Sequence, residues 1–184
     1  MNDAGGMAYS GAAEVRLRWG TMTGAPLFTL NKEHVGFIES GVSIVTASRD
    51  TQNRPLLGHA SGCRAGPDGR QITIFLSRAK YPLLLDAVRR SGAIAVSFNE
   101  PSTNKSIQIK GADAELVTIE SGDIERTAAY LDLFAAELER INFRGELGRV
   151  VLACTPADLV AVTFSPIVAF TQTPGPLAGS RIDT

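Results

Sequence analysis

Ser77, Arg78 and Lys80 close the apolar run "QITIFLS" and stand directly before a helix that opens with Pro82. A hydroxyl, a guanidinium and an ammonium beside a helix start are groups suited to an oxyanion. The helix offers free backbone N–H groups and partial positive charge, arginine a bidentate contact and lysine a point charge. Tyr81 is a poor side-chain cap for those N–H groups, which leaves them open to a ligand such as a phosphate. The same three residues also suit a solvated turn. His59, in "LLGHASGCR", has no acidic or cysteine partner close by in sequence and reads as structural before catalytic; His34 reads as a surface residue. Cys63 and Cys154 are far apart and form no Cys-x-x-Cys pair. With two histidines and two cysteines, a zinc site or a disulfide framework is not expected, and both thiols read as small buried apolar groups.

The elements that must position this corner follow from pattern. Helix 82–91 has Pro82 in its first turn, Gly92 after its end, and Arg89 and Arg90 at the negative end of its dipole. "LNKEHVGFIESG" (30–41) reads as a short helix with Asn31 as N-cap and Gly41 as its stop. "VSIVTASR", "LLGHASGCR", "QITIFLS", "AIAVSFN", "SIQIKGADAELVTI", "DLVAVTF" and "PIVAFTQ" read as strands. "DTQNRP" is a turn, "AGPDG" a hairpin, and Gly111 a bend in the long fifth strand. Between 121 and 142 the apolar period becomes helical, through Ile124, Ala128, Leu131, Ala135 and Leu138. Strands joined by tight turns with inserted helices predict an antiparallel barrel or sandwich of the α+β class.

At 184 residues the chain suits one domain with one sizeable core. Residues 1–25, rich in Gly, Ala and Met, read as a flexible N-terminal arm that Trp19 could pin down, and residues 26–184 as the domain. The hydrophobic fraction is 44%, the charged fraction 20%, and Lys plus Arg number 18 against 19 acidic residues, a net charge of −1. No basic excess points to nucleic acid, no apolar run is long enough to span a membrane, and the first twenty residues lack a signal-peptide pattern. The expected location is cytoplasmic.

"IFLSRAK" followed by a helix, then "AIAVSF", then "SIQIKGADAEL" resembles the pyridoxamine 5'-phosphate oxidase-like family of flavin-binding split barrels. The resemblance covers about residues 30 to 182, and the ending "FTQTPGPLAGSRI" is similar to that of a bacterial subgroup within the family. It implies an antiparallel split β-barrel of six to eight strands with flanking helices. It implies FMN as cofactor, with Ser77, Arg78 and Lys80 facing its phosphate and Gln108 near the isoalloxazine ring. Further implied contacts are His59, Ala60, Ser61 and Gly62 along "GHASGC", together with Phe75 and Lys110. Gly58 and Gly62 suit a backbone approached closely by a flat ring. His59 falls where the oxidases place an arginine on the phosphate, so that contact is altered.

The family's C-terminal tryptophan and Arg-Leu pair are missing, so oxidation of pyridoxamine phosphate is not implied. What is implied is a homodimeric flavoprotein with FMN at the subunit interface, passing hydride or electrons between small molecules. No side chain stands out as a general base. The other reading is a module that holds flavin or a haem-like ligand without turnover, with His59 as candidate axial ligand.

Overall fold

The computed structural model describes residues 28–183; the arm 1–25 and Trp19 lie outside the described residues. The described chain is α+β and antiparallel throughout. In order it forms α1 (Lys32–Ile38), β1 (Ser43–Arg49), β2 (Pro55–His59), β3 (Cys63–Ala65), β4 (Ile72–Ser77), α2 (Pro82–Ser91), β5 (Ile94–Asn99), β6 (Ser106–Gly111) and β7 (Glu115–Val117). There follow α3 (Asp123–Arg140), α4 (Gly145–Leu152), a 3-10 turn (Pro156–Asp158), β8 (Leu159–Phe164), β9 (Val168–Thr171) and β10 (Arg181–Ile182).

The strands make a six-stranded sheet, β10-β9-β6-β5-β1-β2, and a four-stranded sheet, β3-β4-β8-β7. This is the split-barrel arrangement expected, with ten strands where six to eight were expected. Two runs read as single strands each divide and change sheet. "LLGHASGCR" becomes β2 and β3, with the crossing at residues 60–62. "SIQIKGADAELVTI" becomes β6 and β7, with the crossing just after Gly111, where a bend was expected. The tail adds the short β10.

One face of each sheet supplies the core. Ile44, Val96, Phe98, Ile107, Ile109 and Ala169 from the larger sheet meet Ile72, Ile74, Leu76, Val160, Val162 and Phe164 from the smaller in a single buried cluster. Along β1, β5 and β6 these positions alternate with polar or half-buried ones, as a strand with one dry face requires, whereas β4 and β8 are buried along their whole length. Helix α2 closes one side with Leu84, Leu85 and Val88 and ends at Gly92 in the left-handed conformation (φ 63°). Helix α1 is capped as expected by Asn31, whose Oδ1 accepts from the His34 N–H at 2.9 Å. The imidazole completes a capping box, its Nδ1 accepting from the Asn31 N–H at 3.3 Å. His34 is thus half-buried and bonded, against the expected surface role. The stop after α1 is Glu39, two residues before Gly41.

Candidate functional site

The corner at the end of β4 is built by three segments distant in sequence. Alternation along β4 turns Ile72, Ile74 and Leu76 to the main core. Phe75 and Ser77 face the other way, and Phe75 is fully buried in a small cluster with Leu159, Ala161, Val117, Ile119 and Cys154. The Ser77 hydroxyl, also buried, donates to Asp158 Oδ2. The Ala79 N–H donates to the other oxygen, Asp158 Oδ1, at 2.7 Å. Backbone bonds tighten the turn: the Lys80 N–H donates to Ser77 Oγ at 3.1 Å, and the Arg78 N–H to the Asp158 carbonyl at 2.9 Å. The turn therefore grips both oxygens of a carboxylate. The Ser77 bond, then the Ala79 bond, hold the Asp158 carboxyl below its ordinary value of 3.8, and the charges of Arg78 and Lys80 add to them.

The cations divide. Arg78 is exposed, with no side-chain hydrogen bond or ion pair among the described residues. Lys80 extends its ammonium to the carbonyl oxygens of Val151 (2.8 Å) and Ala153 (2.6 Å). The Ser61 hydroxyl donates to the carbonyl between them, that of Leu152, at 2.8 Å. Three consecutive carbonyls at the C-terminal end of α4, which no helical N–H can satisfy, are thus taken up by two of the residues expected to hold cofactor.

The segment 60–62 is tied into both sheets. Ala60 donates to the Ile44 carbonyl at 3.0 Å, Ser61 to the Phe75 carbonyl at 2.7 Å, and Phe75 to the Gly62 carbonyl at 2.9 Å. The rings that approach the two glycines closely are the protein's own. A Cβ on Gly58 would stand 2.9 Å from Tyr81 and Leu84, and one on Gly62 would meet Tyr130 and Phe75 at about 3.4–3.5 Å.

The remaining candidates lie on the outer face of the six-stranded sheet. Cross-strand pairing aligns His59, Val45, Ser97, Gln108, Phe170 and Arg181 in one row. The next row holds Leu57, Ala47, Ala95, Lys110 and Val168. Gln108 Nε2 donates to Ser97 Oγ at 3.3 Å, and the Lys110 ammonium stands 5.1 Å from the centre of the Phe170 ring. Val45, Ala47, Ala95, Val168 and Phe170 are only half-buried, and His59 and Leu57 are exposed. The site residues therefore form two groups. Ser61, Phe75, Ser77, Arg78 and Lys80 make the corner; His59, Gln108 and Lys110 share the sheet face; Ala60 and Gly62 belong to the strap between.

Sequence reasoning missed Asp158 and the end of α4. The partnership of Asp158 with Ser77 spans 81 residues, and only local spacing in "TPADL" hints that residue 158 ends a turn. Among the described residues no group of three or more His, Cys, Asp or Glu side chains could hold a metal ion. No described helix is long and apolar enough to cross a membrane.

No protein-family model and no curated protein matches the chain. Solved structures to which it is similar include a candidate pyridoxamine 5'-phosphate oxidase from Lactobacillus delbrueckii, at 14% identity and TM-score 0.48, covering 77% of this chain and 93% of that one. An F420 reductase is similar at 15% identity and TM-score 0.47, covering 76% and 98%. HupZ of Group A Streptococcus is similar at 13% identity and TM-score 0.47, covering 82% and 99%.

Proposed function

We propose that the chain is an FMN-binding flavoprotein that works as a homodimer, with the flavin phosphate at the Ser77–Lys80 corner and the ring towards the sheet face that carries Gln108. The observation that carries this reading is the corner itself. A buried hydroxyl and a backbone N–H converge on two oxygens of one anion, beside an exposed arginine, at the start of a helix. A phosphate presents the same pair of acceptors with one more negative charge. The donor set thus fits the phosphate. Ser77, the Ala79 N–H and Arg78 would hold it, while Lys80 supports the corner from the carbonyls of α4.

Bound FMN would supply hydride or electron transfer, so that the protein has to bind, orient and shield. Gln108 offers a side-chain amide on a face whose neighbours are mostly apolar, suited to a polar edge of a flat ring. The half-exposed Val45, Ala47, Ala95, Val168 and Phe170 are the surface proposed to meet the second subunit. His59, exposed on the same row, supports the other reading, a haem-like ligand held without turnover. The colour of the protein separates the two, since a Soret band would replace the flavin pair.

The test compares FMN with riboflavin, which lacks the phosphate. Arg78→Ala should weaken FMN by roughly tenfold, the consequence of removing one charge-assisted contact to the phosphate, and leave riboflavin unchanged. Arg89→Ala, near the other end of α2, should change neither. Equal losses of FMN and riboflavin in the Arg78 variant would remove the phosphate from this corner.

A further inference from the structure

The corner proposed for the phosphate already holds an anion, and that anion belongs to the chain. Asp158 fills both donors, Ser77 Oγ and the Ala79 N–H, and its own carbonyl takes the Arg78 N–H. A phosphate oxygen cannot use a hydroxyl hydrogen or an amide hydrogen that a carboxylate is using. A dianion brought beside an ionised carboxylate is also repelled by it. Asp158 is free to leave in one respect, because it ends a 3-10 turn of only three residues, Pro156–Asp158, on the half-exposed connection between α4 and β8. It is held in another, since the carbonyls just before that connection, Val151 to Ala153, are fastened by Lys80 and Ser61.

We propose that Asp158 is an internal competitor for the phosphate, setting how strongly this chain prefers phosphorylated ligands, and that binding such a ligand swings the 154–158 connection away from the corner. The proposal rests on the reading that phosphate binds here. Its physical content is an exchange. Asp158 gives up its two carboxylate hydrogen bonds and, as the connection swings, the Arg78 N–H bond to its carbonyl, and gains water; the phosphate takes the freed donors, and Lys80 stays on α4 as the hinge of the movement. Ligands without phosphate leave the carboxylate in place and have no such exchange to drive.

The experiment is a titration of FMN and of riboflavin into wild-type protein, Asp158→Asn and Arg78→Ala. Asparagine keeps the size but offers one acceptor for two donors, and places an amide N–H₂ against the other. Asp158→Asn should bind FMN about tenfold or more tightly than wild type, with riboflavin unchanged. Unchanged or weaker FMN binding in this variant, while Arg78→Ala still separates FMN from riboflavin, overturns the competitor and leaves the phosphate reading standing. If Arg78→Ala does not separate them, or if neither wild type nor Asp158→Asn binds FMN, both fail together. A second readout needs no variant. Hydrogen exchange on wild-type protein should speed up across residues 154–158 on adding FMN and stay constant on adding riboflavin. Slower exchange there with FMN would show the carboxylate closing over the ligand instead of leaving, and would overturn the exchange.

Discussion

Thr46 shows how far a single residue can depart from its surroundings. Its side chain is fully buried on the inner face of β1, and its hydroxyl is the one buried side-chain polar atom without a hydrogen-bond partner among the described residues. A buried hydroxyl left unpaired costs about 1–3 kcal/mol, so Thr46→Val, which keeps the shape and the β-branch, should raise stability by about 1 kcal/mol in chemical denaturation. A loss of similar size would mean that the hydroxyl is bonded in solution, for instance to a trapped water. At this scale the sequence was legible where chemistry is local and opaque where it is not. Ser77, Arg78 and Lys80 announce an anion-accepting corner by standing together before a helix. That the anion at hand is Asp158, and that Lys80 reaches α4, are pairings across more than seventy residues. Buried Cys63 fits its reading as an apolar filler, since burial pushes its thiol far up and leaves the S–H to the Ile38 carbonyl at 3.2 Å.

Among the elements, α1 has a cap that depends on acidity. Burial, opposed by nearby Glu33, holds His34 below its ordinary value of 6.5, and its Nδ1 must be unprotonated to accept from Asn31. A depressed value in the folded state means that the unfolded chain binds the proton more readily. The cap's full contribution is therefore present above pH 6.5 and is lost as pH falls below it through the folded value. Wild type should lose stability slightly over that window, whereas His34→Gln, whose carbonyl can accept from Asn31 at any pH, should lose less; identical pH profiles would rule out the histidine. Helices α1 and α2 were legible from their ends and α3 from its period, but Ile124 and Ala128, expected on the apolar stripe of α3, are exposed, and Asp123, Thr127 and Tyr130 face inward in the first half of that helix. Helix α4 was not, because its apolar pattern is inverted. Leu147, Val150 and Val151 face solvent, while Gly145 and Gly148 pack inward, so close to α3 that a Cβ on Gly148 would stand 2.7 Å from Leu138. The divided strands were hidden for a related reason: a chain that changes sheets keeps its alternation on both sides of the crossing.

For the molecule as a whole, the proposed dimer puts the outer face of the larger sheet between two copies. If two copies meet there, sedimentation equilibrium should give twice the chain mass for the wild type. Phe170→Asp, which puts a charge among Val168, Gln108 and Lys110, should give a monomer that stays folded. A folded wild-type monomer that binds FMN tightly would overturn the shared site. The class of fold was legible from the succession of strands and turns, and the sheet partners were not, since pairing is set by contacts between distant segments. One of those pairings governs how the chain can come to its structure at all. Strand β8 lies between β4 and β7, matched to β4 from Ile72–Phe164 to Ser77–Leu159, and β9 lies against β6. Both late strands complete sheets begun far earlier in the chain, and loops of that length must close before their contacts reward it. Until β8 is in place, β4 is uncovered along one edge, so the pairing of β8 with β4 is expected to come late in folding.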